Sequence, residues 1–260
     1  METGKHTGVR VVRLAVAALV VLPAAWGQDG LSGPGRFEQF RGPSGLPGSV
    51  VGVRFDGSPG AGGALTLSTP VGVALGGGHW VAGVGGVSKD LLFRIPWPPE
   101  RVGSSENNVN GHAWLLYGLD TASGRVALGA AFPHGGLPVS FNAQWELPTP
   151  RDLPLRVSVG VQDPFSDGAV RGLGERTDSY FAAATAKAGS IYATTGVGTG
   201  RFKEGFMSVS APLGGLLRAT VEHDGFGWNF GASVVFLDRF HLFAGVLGGR
   251  HAVLAGAVSF

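Results

Sequence analysis

Apolar and small or polar residues alternate one by one along most of the chain. Leu65, Leu67, Thr69, Val71, Val73 and Leu75 alternate with Thr66, Ser68, Pro70, Gly72 and Ala74. Val139, Phe141, Ala143, Trp145 and Leu147 alternate with Ser140, Asn142, Gln144 and Glu146. The same pattern recurs at Leu155–Gln162 and at Gly227–Phe236. A period of two places successive side chains on opposite faces of an extended strand. Turn signals separate the runs: Asp56-Gly57-Ser58-Pro59-Gly60, Ala122-Ser123-Gly124, Pro133-His134-Gly135-Gly136, Pro148-Thr149-Pro150 and Asp224-Gly225. This punctuation predicts about fourteen strands. They fall near 49–55, 64–75, 79–87, 112–120, 124–132, 139–147, 155–162, 179–187, 190–199, 205–211, 216–223, 227–237, 240–248 and 251–260. A shorter run lies at 91–95, and 94–111 and 163–178 read as larger loops. No helical period, repeat or linker follows residue 27.

The first 27 residues differ. Lys5, Arg10 and Arg13 precede an uncharged, mostly apolar run from Leu14 to Trp26. That run is shorter than the roughly 20 residues a membrane helix needs. Ala25 and Gly27 put small residues where a signal peptidase reads, so residues 1–27 read as a cleaved signal peptide rather than a retained anchor. Residues 28–48, rich in Gly and Pro with little period, read as an irregular periplasmic lead-in, and 49–260 as one domain.

Composition sharpens the picture. Charged residues are 15% of the chain, against about 25% in typical globular domains, while 44% are hydrophobic and Gly numbers 46. The absence of Cys excludes disulfides, a thiol nucleophile and thiolate metal ligation. Of 20 basic and 18 acidic residues, the signal removes three (Lys5, Arg10, Arg13) and one (Glu2), leaving 17 of each. A neutral mature chain has no electrostatic case for binding nucleic acid. A soluble sandwich would carry Lys and Glu on its outer face, yet here the less apolar face is mainly Gly, Ser, Thr and Ala. Strands that are apolar outside and polar or small inside suit a closed barrel in lipid, where every backbone group must be paired. The expected fold is therefore all-β: a single antiparallel transmembrane β-barrel of about 12–14 strands in the bacterial outer membrane. Trp80, Trp114, Trp145, Tyr180, Tyr192 and Trp228 lie toward strand ends, as an interfacial girdle requires. Ala252, Leu254, Gly256, Val258 and Phe260 alternate to the terminal aromatic, resembling the strand that barrel assembly machinery engages in outer-membrane proteins.

The second half carries a family resemblance. It contains Gly160-Val161-Gln162-Asp163, then Ser179-Tyr180 through Lys187, then Gly196-Val197-Gly198-Thr199-Gly200-Arg201-Phe202. Glu222-His223-Asp224-Gly225 and Asn229-Phe230-Gly231 follow. This order resembles the YjbH-type outer-membrane proteins associated with exopolysaccharide production. Its specific part spans 156–231, and His223 departs from the family's usual Tyr. The resemblance implies a barrel with a role in surface polysaccharide, with polysaccharide or other exopolysaccharide-system proteins as partners. It supplies no catalytic residue.

Candidate chemistry is sparse. The glycine run 196–200 is followed by Phe202-Lys203-Glu204 and another strand, not by the helix a dinucleotide site needs. Glu222 and His223 are adjacent on a strand and face opposite sides, so the trio with Asp224 cannot converge on a substrate; Glu222 is expected inward, with His223 and Asp224 at the membrane edge. The six mature histidines show no ligand spacing, and Gly-x-Ser-x-Gly is absent. No catalytic residue, cofactor or metal is expected. The strand phase sends Arg125, Glu146, Arg156, Lys187, Arg218 and Glu222 into the lumen. They either line a polar path or form an ion-pair network that fills a narrow barrel. The sequence thus predicts a non-enzymatic barrel acting in exopolysaccharide assembly, export or anchoring. A general diffusion pore and a plugged structural barrel are the alternatives.

Overall fold

The computed structural model describes residues 37, 40–88, 111–132, 139–150, 152–166 and 176–260. Residues 1–27, read above as an export signal, most of 28–39, the run at 91–95, nearly all of the 94–111 loop, the 133–136 turn and the middle of the 163–178 loop lie outside them. Twelve strands form the wall: β1 (Trp80–Val87), β2 (Gly111–Thr121), β3 (Gly124–Phe132), β4 (Ser140–Glu146), β5 (Leu155–Gln162), β6 (Ser179–Ala188), β7 (Ile191–Gly198), β8 (Phe206–Gly214), β9 (Leu217–His223), β10 (Trp228–Phe236), β11 (Phe240–Leu247) and β12 (His251–Ser259). Each pairs antiparallel with its sequence neighbours, and β1 pairs with β12, so the sheet closes. Val81 faces Ser259 and Val87 faces Val253 across that seam. Closure leaves no edge strand and pairs the backbone without helices. No helix is long and apolar enough to cross a membrane among the described residues.

The wall reads inside and outside as the alternation predicts. On β4, Ser140, Asn142, Gln144 and Glu146 are buried while Phe141 and Trp145 are exposed. On β9, Arg218, Thr220 and Glu222 are buried while Leu217 and Val221 are exposed. Outward side chains such as Leu254 (68% exposed), Val84 (65%) and Leu242 (54%) are largely uncovered by protein. Asp120, Arg125, Glu146, Arg156, Lys187, Arg218 and Glu222 are the Asp, Glu, Lys and Arg residues on the twelve strands, and all share the inward phase. An apolar outside and charges only inside make a wall for lipid. Of the expected girdle, Trp145, Tyr180 and Trp228 do point outward near strand ends. Trp114 and Tyr192 do not: both are buried in the interior, 5% and 2% exposed.

Several inward glycines make room for rings. A Cβ on Gly83 would lie 2.2 Å from the Trp114 ring, one on Gly231 2.2 Å from Phe243, one on Gly196 2.1 Å from Phe206 and one on Gly160 2.4 Å from Phe181. Each ring lies across a neighbouring strand and covers the backbone that the missing side chain leaves bare.

Two of the fourteen expected strands are not in the wall. Residues 49–55 and 64–75 lie inside the barrel, and the wall begins at Trp80 instead of residue 49. Leu65, Leu67, Val71, Val73 and Leu75 are buried, but so are Thr66, Ser68, Thr69 and Ala74. Alternation reports an extended chain with different surroundings on its two sides. It does not say that one side is lipid. Residues 40–48, read as part of a periplasmic lead-in, are likewise inside the barrel. Pro70 was the available signal, because proline within a run argues against a central strand.

Candidate functional site: the occupied lumen

The wall has two unlike ends. The turns 122–123, 189–190, 215–216 and 237–239, of two or three residues each, lie at one end, with the β4–β5 connection, Trp80 and Phe260. Val87 and Gln162, the strand ends from which the two longest connections leave, lie at the other. Residues 40–79 run the length of the lumen three times. Arg41 sits at the long-loop end against Asp224 and the Phe226 ring. The chain descends to Phe55, whose carbonyl accepts from Arg125 Nη2 at 2.8 Å near the short turns. It turns through Ala61, whose carbonyl accepts from Arg218 Nε at 2.7 Å. It rises to Ser68 and Thr69 beside Glu222, then descends again to Ala74 at Glu146 and joins β1 through Gly76-Gly77-Gly78.

This plug has a small apolar centre of its own. Val50, Val53, Leu65, Leu67, Val71, Val73 and Leu75 pack with Val81, Trp114, Leu116, Phe243 and Leu247 of the wall. Leu46 joins a second cluster with Phe181, Phe202 and Phe206, whose rings meet at 5.3 Å. Val50 is buried with φ of +67°, a left-handed conformation that a β-branched residue adopts only under constraint from its surroundings.

Plug and wall meet differently. Among the described residues, the backbone–backbone bonds of 40–75 stay inside the plug, as in Val53 with Ala64 and Val50 with Thr66. The wall reaches it with side chains. Glu222 accepts from the Leu67 amide (2.8 Å), the Ser68 hydroxyl (2.8 Å) and the Thr69 hydroxyl (3.0 Å), and is braced by Asn229 Nδ2 at 3.0 Å. Arg201 donates to Ser68 Oγ at 2.8 Å and to Gln162 Oε1 at 3.1 Å. Gln144 donates to the carbonyls of Val71 and Val73, Thr185 accepts from the Gly72 amide, and Thr220 donates to the Leu65 carbonyl. Every such contact replaces a water that an extended backbone would otherwise hold.

Of the six residues expected to line the lumen, Arg125, Glu146, Arg156, Arg218 and Glu222 are drawn into this contact. Glu146 is buried, accepts the Ala74 amide at 2.8 Å, pairs with Arg125 and lies 3.6 Å from Arg156. The Arg156 guanidinium lies 4.8 Å from the centre of the Phe55 ring. Arg218 also holds Ser190 O and Ser210 Oγ. Lys187 stands apart, with its Nζ 5.6 Å from the Tyr192 ring centre. Sequence reasoning missed Arg41, Arg201 and Asp224 as partners. Asp224 is not at an open membrane edge: it is fully buried, binds Arg41 at 2.8 Å and accepts the amides of Phe226 and Gly227. Burial alone would raise its carboxyl, but Arg41 with Arg201 and Asn229 holds it below the usual carboxylate value. Burial lowers the Arg201 guanidinium to about 10, against the pull of Asp224 and Glu222, so it remains a cation at neutral pH. His223 points to the outer side, its ring edge-on to Trp228 at 5.2 Å.

Of the residues in the stretch 156–231, Gln162, Arg201, Glu222, Asp224 and Asn229 meet at this rim. The 196–202 glycine run is a strand end and a 3-10 turn packed on β6, where a Cβ at Gly198 would lie 1.8 Å from Tyr180 O. Its product is the position of Arg201. Glu222, Asp224 and Asn229 complete the rim. Among the described residues, no group of three or more His, Asp or Glu is placed to hold a metal ion.

No protein-family model matches the chain, and no curated protein matches it. Solved structures that resemble it include variants of the porin of Rhodopseudomonas blastica. One is 13% identical with a TM-score of 0.32, covering 57% of this chain and 55% of the porin. Another is 12% identical with a TM-score of 0.34, covering 84% and 72%. The chain thus spans about half the length of the first of these porins. At such values the likeness carries no argument about the lumen, which this chain fills in its own way.

Proposed function

We propose that the chain is a non-enzymatic barrel of the bacterial outer membrane, closed at rest by its own residues 40–79. Its short turns face the periplasm and its longer loops the outside, the usual arrangement for such barrels. In this reading it serves exopolysaccharide assembly or surface anchoring as a closed body and not as a diffusion pore. The closed state is carried by one observation. Plug residues Val50–Val53 and Gly63–Leu75 are buried although they stand where a pore would conduct. The closed wall with an apolar outside supports the location and contact with outer-membrane lipid. The exopolysaccharide role rests on the resemblance over 156–231.

The test is planar-bilayer recording of the mature chain, residues 28–260, once a heat-modifiable, β-rich band shows that it has folded. The expected trace is quiet at moderate voltage. Steady ohmic conductance from the unaltered chain overturns the closed reading and restores the diffusion pore. Deleting the gene should reduce retained surface polysaccharide and leave small-solute uptake unchanged; unaltered polysaccharide would remove that role.

A further inference from the structure

We infer that the plug is a gate, hinged at Gly76–Gly78 and latched at the opposite rim by Glu222, Arg201 and the Arg41–Asp224 pair. This rests on the closed reading above and adds movement to it. Three observations carry it. The backbone–backbone bonds of residues 40–75 are internal, so the plug can leave as one body without breaking a rung of the wall ladder. The first backbone–backbone bond to the wall falls at the last of the glycines, where Gly78 N donates to Gly118 O; Gly77 N donates to the Asp120 carboxylate beside it, and Gly118 N donates to His79 O.

The junction itself is three consecutive glycines, and Gly78 has φ of +81° with no atom within 4 Å of where a Cβ would stand. Such a run absorbs large dihedral changes at little steric cost. The latch is at the far end of the lever. One carboxylate, Glu222, gathers Leu67, Ser68 and Thr69, and Arg201 and Arg41 close on the same rim. The contacts to be broken are side-chain hydrogen bonds that water can take over. The buried valines and leucines favour the seated position and keep the gate shut at rest. Movement is toward the short-turn side, where the hinge lies.

The chain has no cysteine, so one can be introduced as an unambiguous reporter. Val73→Cys places a thiol where the native side chain has no exposure. Its reaction with a hydrophilic maleimide is measured in folded, bilayer-inserted protein with the native latch, with Glu222→Gln, and with Arg41→Gln. The gate predicts at least tenfold faster labelling in the latch variants, with the heat-modifiable band retained. It also predicts discrete current steps from the same preparations, and labelling should suppress reclosure. Equal, slow labelling of folded latch variants overturns the gate while leaving the closed barrel intact. Fast labelling without current, or with loss of the folded band in both variants, also overturns it, because the plug would then be loosening with the wall. Steady conductance of the unaltered chain would instead overturn the closed reading itself.

Discussion

Asp224 shows how a single carboxylate acquires its role from its surroundings. It lies just past β9, fully buried, with Arg41 from the plug on one side and two amides of its own turn on the other. Burial works against it, but Arg41, Arg201 and Asn229 together hold its folded carboxyl below the unfolded value, so the ionised group contributes stability above about pH 4 and loses it as pH falls through the lowered folded value. Asp224→Asn should therefore lower the thermal midpoint of the folded band at pH 7. The gap between variant and parent should close on acidification toward about pH 2. A gap that stays constant with pH would show that the pair is not the source. Removing one partner of a buried pair costs roughly 3–5 kcal/mol, since the other is left without compensation. Arg201 is subject to the same logic with the opposite sign: burial lowers it, yet at about 10 it stays charged across the physiological range.

At the scale of strands, the pairing of rings with glycines governs how the wall tolerates change. Gly231→Ala puts a methyl where the Phe243 ring stands and should cost about 1–3 kcal/mol, read as a drop in the temperature at which the folded band is lost. Phe243→Ala in the same chain should recover part of that cost, the signature of direct coupling. Equal costs in single and double variants would deny the contact. Leu242, on the outside of the same strand, responds to a different medium. Leu242→Lys should cost about 2–4 kcal/mol in a bilayer, where the chain has only lipid to offer the charge. No loss would argue that this face is covered by something polar. The twelve wall strands were legible within a few residues because lipid outside and packing inside impose an alternation that nothing else on the chain reproduces over so many runs. Glu146, Arg156, Arg218 and Glu222 were legible as inward for the same reason. The plug was not. Leu65 to Leu75 alternates as cleanly as any strand, and the two environments that separate its faces are both protein. Only Pro70 and the glycines around it set that stretch apart, and Arg41 and Asp224, 183 positions apart, offered no local signal of their pairing.

For the whole molecule, wall and plug obey different rules of cohesion. The wall is bound by backbone ladders that no side-chain substitution can remove, and the plug by side chains that single substitutions can. That division explains why a barrel can be rugged while its interior remains adjustable. It also bears on how the molecule is made. The chain crosses the lumen three times before it reaches Trp80, and Trp80 exchanges backbone bonds with Phe260, the last residue. The ring therefore cannot shut until β12 has been made, long after the segment that lies inside it. Like a cooper closing a cask on its contents, assembly has to have the filling in place before the final seam, or push a three-pass thread through a finished hoop.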